Sequence, residues 1–137
     1  ASTALQSQGS SRLNVTVPKR VLIVDDSDII RETMTQLLVH EGYDVESAED
    51  GDIGIKKFLS FKPDLILTDI YMPRVPGVHM IEQIRRGFPN VQIIVMSGGN
   101  ARSQTNYDVD ADQGIHTTLH KPISRQKLIE AVSAALA

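Results

Sequence analysis

Apolar residues along this chain fall into short blocks with two different periods. Val21–Val24 is an unbroken apolar run of strand length, the pattern of a strand buried on both faces. Asp25, Asp26 and Ser27 follow, and either of the last two suits a helix N-cap. Ile30, Met34, Leu37 and Leu38 then recur at helical spacing up to Gly42, where a helix stops. Tyr43–Ser47 predicts a second strand. Residues 51–61 predict a helix carrying Ile55, Phe58 and Leu59, with Pro63 breaking the chain beyond it. Leu65–Thr68 is another buried strand, ending at Asp69, and Ile70–Pro76 with its two prolines reads as a loop. Val78, Ile81 and Ile84 mark a third helix, closed by Gly87 and Pro89. Val91–Met96 predicts a strand ending at Ser97, with a turn at Gly98 and Gly99. Thr117–His120 is a short strand, and Ser124 caps a final helix with Leu128, Ile129, Val132 and Leu136 as its apolar positions.

Two stretches break the pattern. Residues 1–18 are rich in Ser, Gln and Thr, show no sustained apolar period and read as a flexible tail, so the folded domain is expected over 19–137. Residues 100–113 are expected to be a helix by alternation, although NARSQTNYDVDADQ has little apolar stripe and several weak helix formers. The whole is βα repeated five times. That predicts an α/β fold, a doubly wound five-stranded parallel sheet with helices on both faces.

Composition narrows the class. The 137 residues suit one domain, and 41% apolar with 23% charged residues is ordinary for a globular chain. A net charge of −3 with no basic patch makes direct nucleic-acid binding a poor expectation. The absence of cysteine excludes disulfide and thiol chemistry and is compatible with a cytoplasmic setting. No apolar run approaches the ~20 residues that span a bilayer, and the N-terminus lacks a charged segment followed by an apolar one, so neither a membrane span nor an export signal is expected. The chain opens on Ala1 rather than Met, which is compatible with a longer natural protein.

Candidate chemistry emerges at the strand ends. In open parallel sheets, ligands bind beyond the carboxyl ends of the strands, where the winding direction switches. The first strand is followed by Asp25 and Asp26, the third by Asp69, the fourth by Ser97 and the fifth by Lys121. Each has a plainer reading taken singly: a helix start, a turn residue, a glycine turn, a solvated lysine before a bend. Their joint placement at four of five strand ends favours a site. Like-charged carboxylates ~4 Å apart repel by about 1 kcal/mol in water and about 4 at an intermediate dielectric. A hard divalent cation relieves this, and oxygen ligands with room for water favour Mg²⁺ over zinc. A metal, a lysine and a hydroxyl around one carboxylate suit phosphoryl transfer, with Asp69 as nucleophile, Ser97 hydrogen-bonding the phosphoryl oxygen, and Lys121 pairing with Asp69 before the reaction and the phosphoryl group after it.

VLIVDDS at 21–27, LILTDIYMP at 65–73, IIVMSGG at 93–99 and TLHKPI at 118–123 together resemble the receiver domains of two-component response regulators, from about residue 19 onward. The resemblance implies a flavodoxin-like sheet of strand order 2-1-3-4-5. It makes Asp69 the phosphoacceptor, Asp26 and Asp69 side-chain metal ligands, Tyr71 a ligand through its backbone carbonyl, and Asp25 a ligand through water. Ser97 becomes the switch hydroxyl and Lys121 the site lysine, with a cis bond before Pro122 that helps to aim it. It implies a histidine kinase or phosphotransfer protein as donor, an unidentified downstream protein as reader, and self-phosphorylation and dephosphorylation as the only catalysis. Sixteen residues follow Lys121 and the last helix fills them, so output by protein contact is expected unless the gene encodes a further effector.

The chain also departs from that family. The position three before Lys121, usually Tyr or Phe, is Thr118, so a ring-flip readout is not expected. The stretch between Ser97 and Lys121 is about two residues longer than typical. Tyr71 crowds one flank of the acceptor and Gly99 leaves the other open. Two alternatives stand beside the switch. A phosphorylation-independent scaffold suits the missing aromatic residue but not the intact acidic and lysine positions. A haloacid-dehalogenase-like phosphatase would need a second Asp where Tyr71 stands. His40, His79, His116 and His120 read as surface residues, and Met72 and Met96 as packing residues.

Overall fold

Burial is continuous along the central strands, as a sheet covered on both sides requires. A computed structural model describes residues 17–70, 72, 77–98 and 114–137. Over these the elements are β1 (Arg20–Val24), α1 (Asp28–His40), β2 (Asp44–Ala48), α2 (Gly51–Phe61), β3 (Leu65–Asp69), α3 (Gly77–Gly87), β4 (Gln92–Ser97), β5 (Thr117–His120) and α4 (Arg125–Ala135). The strands pair in parallel in the order β2-β1-β3-β4-β5, which is the predicted 2-1-3-4-5. The expected tail up to residue 16, Tyr71, most of the loop after Asp69, Gly99 and the expected helix over 100–113 lie outside the described residues.

Successive side chains of a strand point to opposite faces, so each central strand feeds two cores. Leu22, Val24, Ile66, Ile93 and Val95 pack with Phe58 of α2 and Val78, Met80, Ile81 and Ile84 of α3. Val21, Ile23, Leu65, Leu67, Ile94 and Met96 pack on the other face with Met34 and Leu38 of α1 and Leu128, Val132 and Ala135 of α4. Truncating a fully buried member such as Leu22 or Ile94 to Ala costs about 2–5 kcal/mol. Met72 and Met96 are both buried, as packing residues should be.

Local chemistry sets the element ends. Ser27, Asp50 and Ser124 are the N-caps of α1, α2 and α4, each accepting a hydrogen bond from the backbone N–H three residues on. Gly42 follows α1 with φ +99°, a conformation glycine adopts without a Cβ penalty. Two strands start one residue later than predicted. The Tyr43 N–H turns back to the Leu38 carbonyl, which closes the helix end and leaves Asp44 to open β2. The Val91 carbonyl is taken by the Arg85 guanidinium, and the ladder begins at Gln92. Leu59 was expected on the apolar face of α2 but is 56% exposed, because the buried stripe of that helix runs through Gly51, Gly54 and Phe58. No helix among the described residues is long and apolar enough to cross a membrane.

Candidate functional site

The parallel register brings the strand ends to one edge. β1 ends at Val24, and the Asp25 N–H bonds to the Ala48 carbonyl of β2, which holds Asp25 at the rim. Asp69 closes β3 opposite Met96 of β4, and Ser97 opposes His120 of β5. The Lys121 N–H donates to the Ser97 carbonyl at 2.8 Å, carrying the backbone of Lys121 to the same rim. The Lys121–Pro122 bond is cis.

The side chains then converge. Lys121 Nζ donates to Asp25 Oδ2 at 2.7 Å and to Asp69 Oδ2 at 2.9 Å, joining residues 96 and 52 positions apart in the chain. Asp25 is fully buried, Asp69 is 6% exposed and Ser97 is 2% exposed. Asp26 is exposed at the mouth. One carboxylate oxygen from each of Asp25, Asp26 and Asp69 lies within 4.8 Å of the others. Burial works against the Lys121 ammonium, but hydrogen bonds to Asp25 and Asp69 and their charges outweigh it and raise its pKa above the ordinary lysine value.

The pocket walls are fixed by main-chain contacts. Asp25 Oδ1 accepts from the Ser27 N–H at 2.9 Å, and Arg31 donates to the Asp25 carbonyl at 2.6 Å while pairing with Asp28. Behind the Asp69 carboxylate, Thr68 Oγ1 donates to the Asp69 carbonyl at 2.9 Å. Gly77 opens α3 directly against that carbonyl, and a Cβ there would sit 2.0 Å from the Asp69 oxygen. Only glycine lets α3 start so close to the strand end. Between α1 and the turn after β5, an apolar groove of about 470 Å³ runs up to Lys121. Ile29, 76% exposed, stands on its lip.

The expected residues Asp25, Asp26, Asp69, Ser97 and Lys121 thus all stand at one rim, while Tyr71 lies outside the described residues. Three features escaped the sequence reading. Lys121 reaches Asp25 as closely as Asp69. Gly77 is a close-approach glycine, for which the only hint is a glycine after a proline at a helix start. His120, read as a plain surface residue, is indeed exposed, yet its Nδ1 lies 3.0 Å from Ser97 Oγ. The in-register pairing of two strand ends could have signalled this, since the residue before Lys121 must face Ser97. Chemically, the rim offers three carboxylates against one ammonium, and all its charged acceptors are oxygens, the donor set of a hard cation.

Comparison with known proteins gives a consistent answer. The family model of the response regulator receiver domain matches residues 21–133. Response regulator MprA of Mycolicibacterium vanbaalenii is 32% identical over 120 residues, which cover 88% of this chain and 51% of that protein. The chain therefore spans about half the length of the curated relatives it matches. A CheY-like receiver domain protein from Methanospirillum hungatei superimposes with a TM-score of 0.79 at 28% identity, covering 88% of this chain and 94% of that one. Response regulator protein TrrA from Thermotoga maritima, solved in complex with Mg²⁺ and beryllofluoride, gives a TM-score of 0.75 at 31% identity over 85% of this chain and 98% of that one.

Proposed function

The chain belongs to the response regulator receiver domain family, and from that premise we propose that it is a phosphorylation-dependent switch in which Asp69 accepts a phosphoryl group. Receiver domains are signalling switches rather than classical enzymes. The observation that carries the reading is the double reach of Lys121 Nζ to Asp25 and Asp69 inside a nearly closed acidic rim. One flexible ammonium already at the acceptor can follow an oxygen that gains charge.

In this reading Asp69 attacks the phosphorus of a phosphohistidine on a histidine kinase or phosphotransfer protein. The O–P bond forms as the N–P bond breaks, and the electron pair leaves with the imidazole. The product is an acyl phosphate on Asp69. Lys121 shifts from the carboxylate to the phosphoryl oxygens, and the Ser97 hydroxyl donates to one of them. Asp26 and Asp69 would hold Mg²⁺ through their side chains, Tyr71 through its carbonyl and Asp25 through water, and the oxygen-only donor set fits such an ion. When bound, the ion supplies charge neutralisation for the phosphoryl oxygens. The apolar groove beside Lys121 gives the donor protein a surface within reach of the acceptor. The phosphorylated rim then shifts the equilibrium between two surface conformations that a downstream protein reads, in a cytoplasmic setting.

The test is incubation with Mg²⁺ and a small phosphodonor, followed by intact mass measurement. Wild type gains one phosphoryl group and Asp69→Asn gains none. A wild type that stays unmodified where other receivers react would replace the switch by a phosphorylation-independent scaffold.

A further inference from the structure

Ser97 holds the buried hydroxyl of the rim, and its side-chain hydrogen-bond partner among the described residues is an exposed imidazole. His120 Nδ1 lies 3.0 Å from Ser97 Oγ. The backbones of the two strands are clamped at this point, because the Lys121 N–H donates to the Ser97 carbonyl. Rotation of the hydroxyl about χ1 therefore needs no movement of the sheet. Ser97 is 2% exposed, so bulk water does not satisfy its proton. A hydroxyl carries one proton. If Nδ1 were the donor, that proton would be buried without an acceptor among the described residues, at the cost such groups carry. The economical assignment is Ser97 O–H donating to Nδ1 of the exposed His120.

We propose that His120 is a positioning residue that latches the Ser97 proton in the resting state, and that phosphoryl capture at Asp69 draws this proton away and releases the imidazole at the sheet edge. The inference rests on Asp69 being the acceptor. A phosphoryl group brings three acceptor oxygens to the rim, and the single Ser97 proton serves either one of them or His120. The latch therefore opposes capture. Its release also carries the state of a buried carboxylate to an exposed side chain without an aromatic residue at Thr118.

Beryllofluoride with Mg²⁺ is the probe. His120→Phe keeps a planar ring and removes the acceptor, and its affinity for the probe should rise about fivefold, the factor of one ordinary hydrogen bond. His120→Asn, whose amide oxygen stands where Nδ1 stood, should return the affinity to the wild-type value. In a Ser97→Ala background, His120→Phe should change nothing, as a coupled pair requires. The ¹⁵N resonance of His120 Nδ1 in the wild-type protein should move on saturation as its bond from Ser97 is lost, and this readout survives even if a variant fails to fold. Equal or weaker binding by His120→Phe, or an unmoved Nδ1 resonance in the saturated wild type, overturns the latch alone. A wild type that does not bind beryllofluoride overturns the acceptor reading and the latch with it.

Discussion

The two edges of the sheet are both rich in charge but treat it differently. At the edge where the strands begin, charged side chains are held by main chain. Asp64 Oδ2 accepts from the Arg20 backbone N–H, and Arg20 Nε donates to the Lys62 carbonyl. Arg85 donates to the carbonyls of Phe88, Pro89, Val91 and Gly114. At the edge where the strands end, Lys121 is held by two carboxylate side chains, and three carboxylates face its one ammonium. A main-chain partner cannot be exchanged without moving the backbone. A side-chain partner can swing, and surplus negative charge leaves room for a cation and an incoming phosphoryl group. The first edge closes the fold, whereas the second stores an unfavourable arrangement of the kind functional sites carry.

The strongest way to break the contrast is Lys121→Met. It leaves two buried carboxylates without their shared cation, a defect that costs about 3 kcal/mol. Urea unfolding at neutral pH should show that loss, and intact mass should show no phosphoryl gain. The pH profile gives a second check. Because partnering with Asp25 and Asp69 raises the Lys121 pKa, its stabilisation is fully present below the ordinary lysine value of about 10.4 and is lost as pH rises through the higher folded value. The gap between wild type and variant should stay flat from neutral to mildly alkaline pH and close only beyond that. A gap that closed near neutrality would show that the ammonium is not what holds the rim.

Arg85→Met is the matching break at the other edge. Burial pulls the Arg85 pKa down, yet a guanidinium remains charged, and four carbonyls lose a charged donor together. The expected cost is about 2 kcal/mol in urea unfolding. Phosphoryl gain by mass should be unchanged, because the carbonyls that Arg85 holds among the described residues belong to the edge where the strands begin. Equal damage to phosphorylation would mean that the two edges are not independent.

Sequence reading recovered most of this architecture for an identifiable reason. Parallel strands buried on both faces leave unbroken apolar runs such as Val21–Val24 and Leu65–Leu67, and helices between them leave spaced ones. The placement of the candidate site was legible because strand ends in this topology must share a rim, which made Asp25, Asp69, Ser97 and Lys121 neighbours across large sequence separations. What stayed hidden depends on distances that patterns do not encode. Leu59 sits one position off a stripe whose other members include two glycines, so hydropathy alone misplaces it. Gly77 matters through a missing Cβ beside the Asp69 carbonyl. His120 looks like any exposed histidine until strand register sets it against Ser97.

The smallest effects discriminate best, because the same substitution should change sign between the edges. Asp26 is an exposed carboxylate within 4.8 Å of two others. Repulsion at ~4 Å in water is about 1 kcal/mol per pair, and the Lys121 ammonium offsets part of it, so Asp26→Asn should stabilise the metal-free protein by about 1 kcal/mol. The gain should shrink as salt screens the charges. Added Mg²⁺ should reverse the order, since wild type gains more from the ion than a rim with one carboxylate fewer. Asp64→Asn removes the same charge where it accepts from a backbone N–H at 2.8 Å. An amide oxygen accepts more weakly than a carboxylate, so this variant should lose about 0.5–1 kcal/mol and show no response to Mg²⁺ beyond that of wild type. Matching signs for the two variants in urea midpoints at low salt would mean that the carboxyl-end rim is an ordinary ion-pair cluster, with no surplus charge to offer a cation.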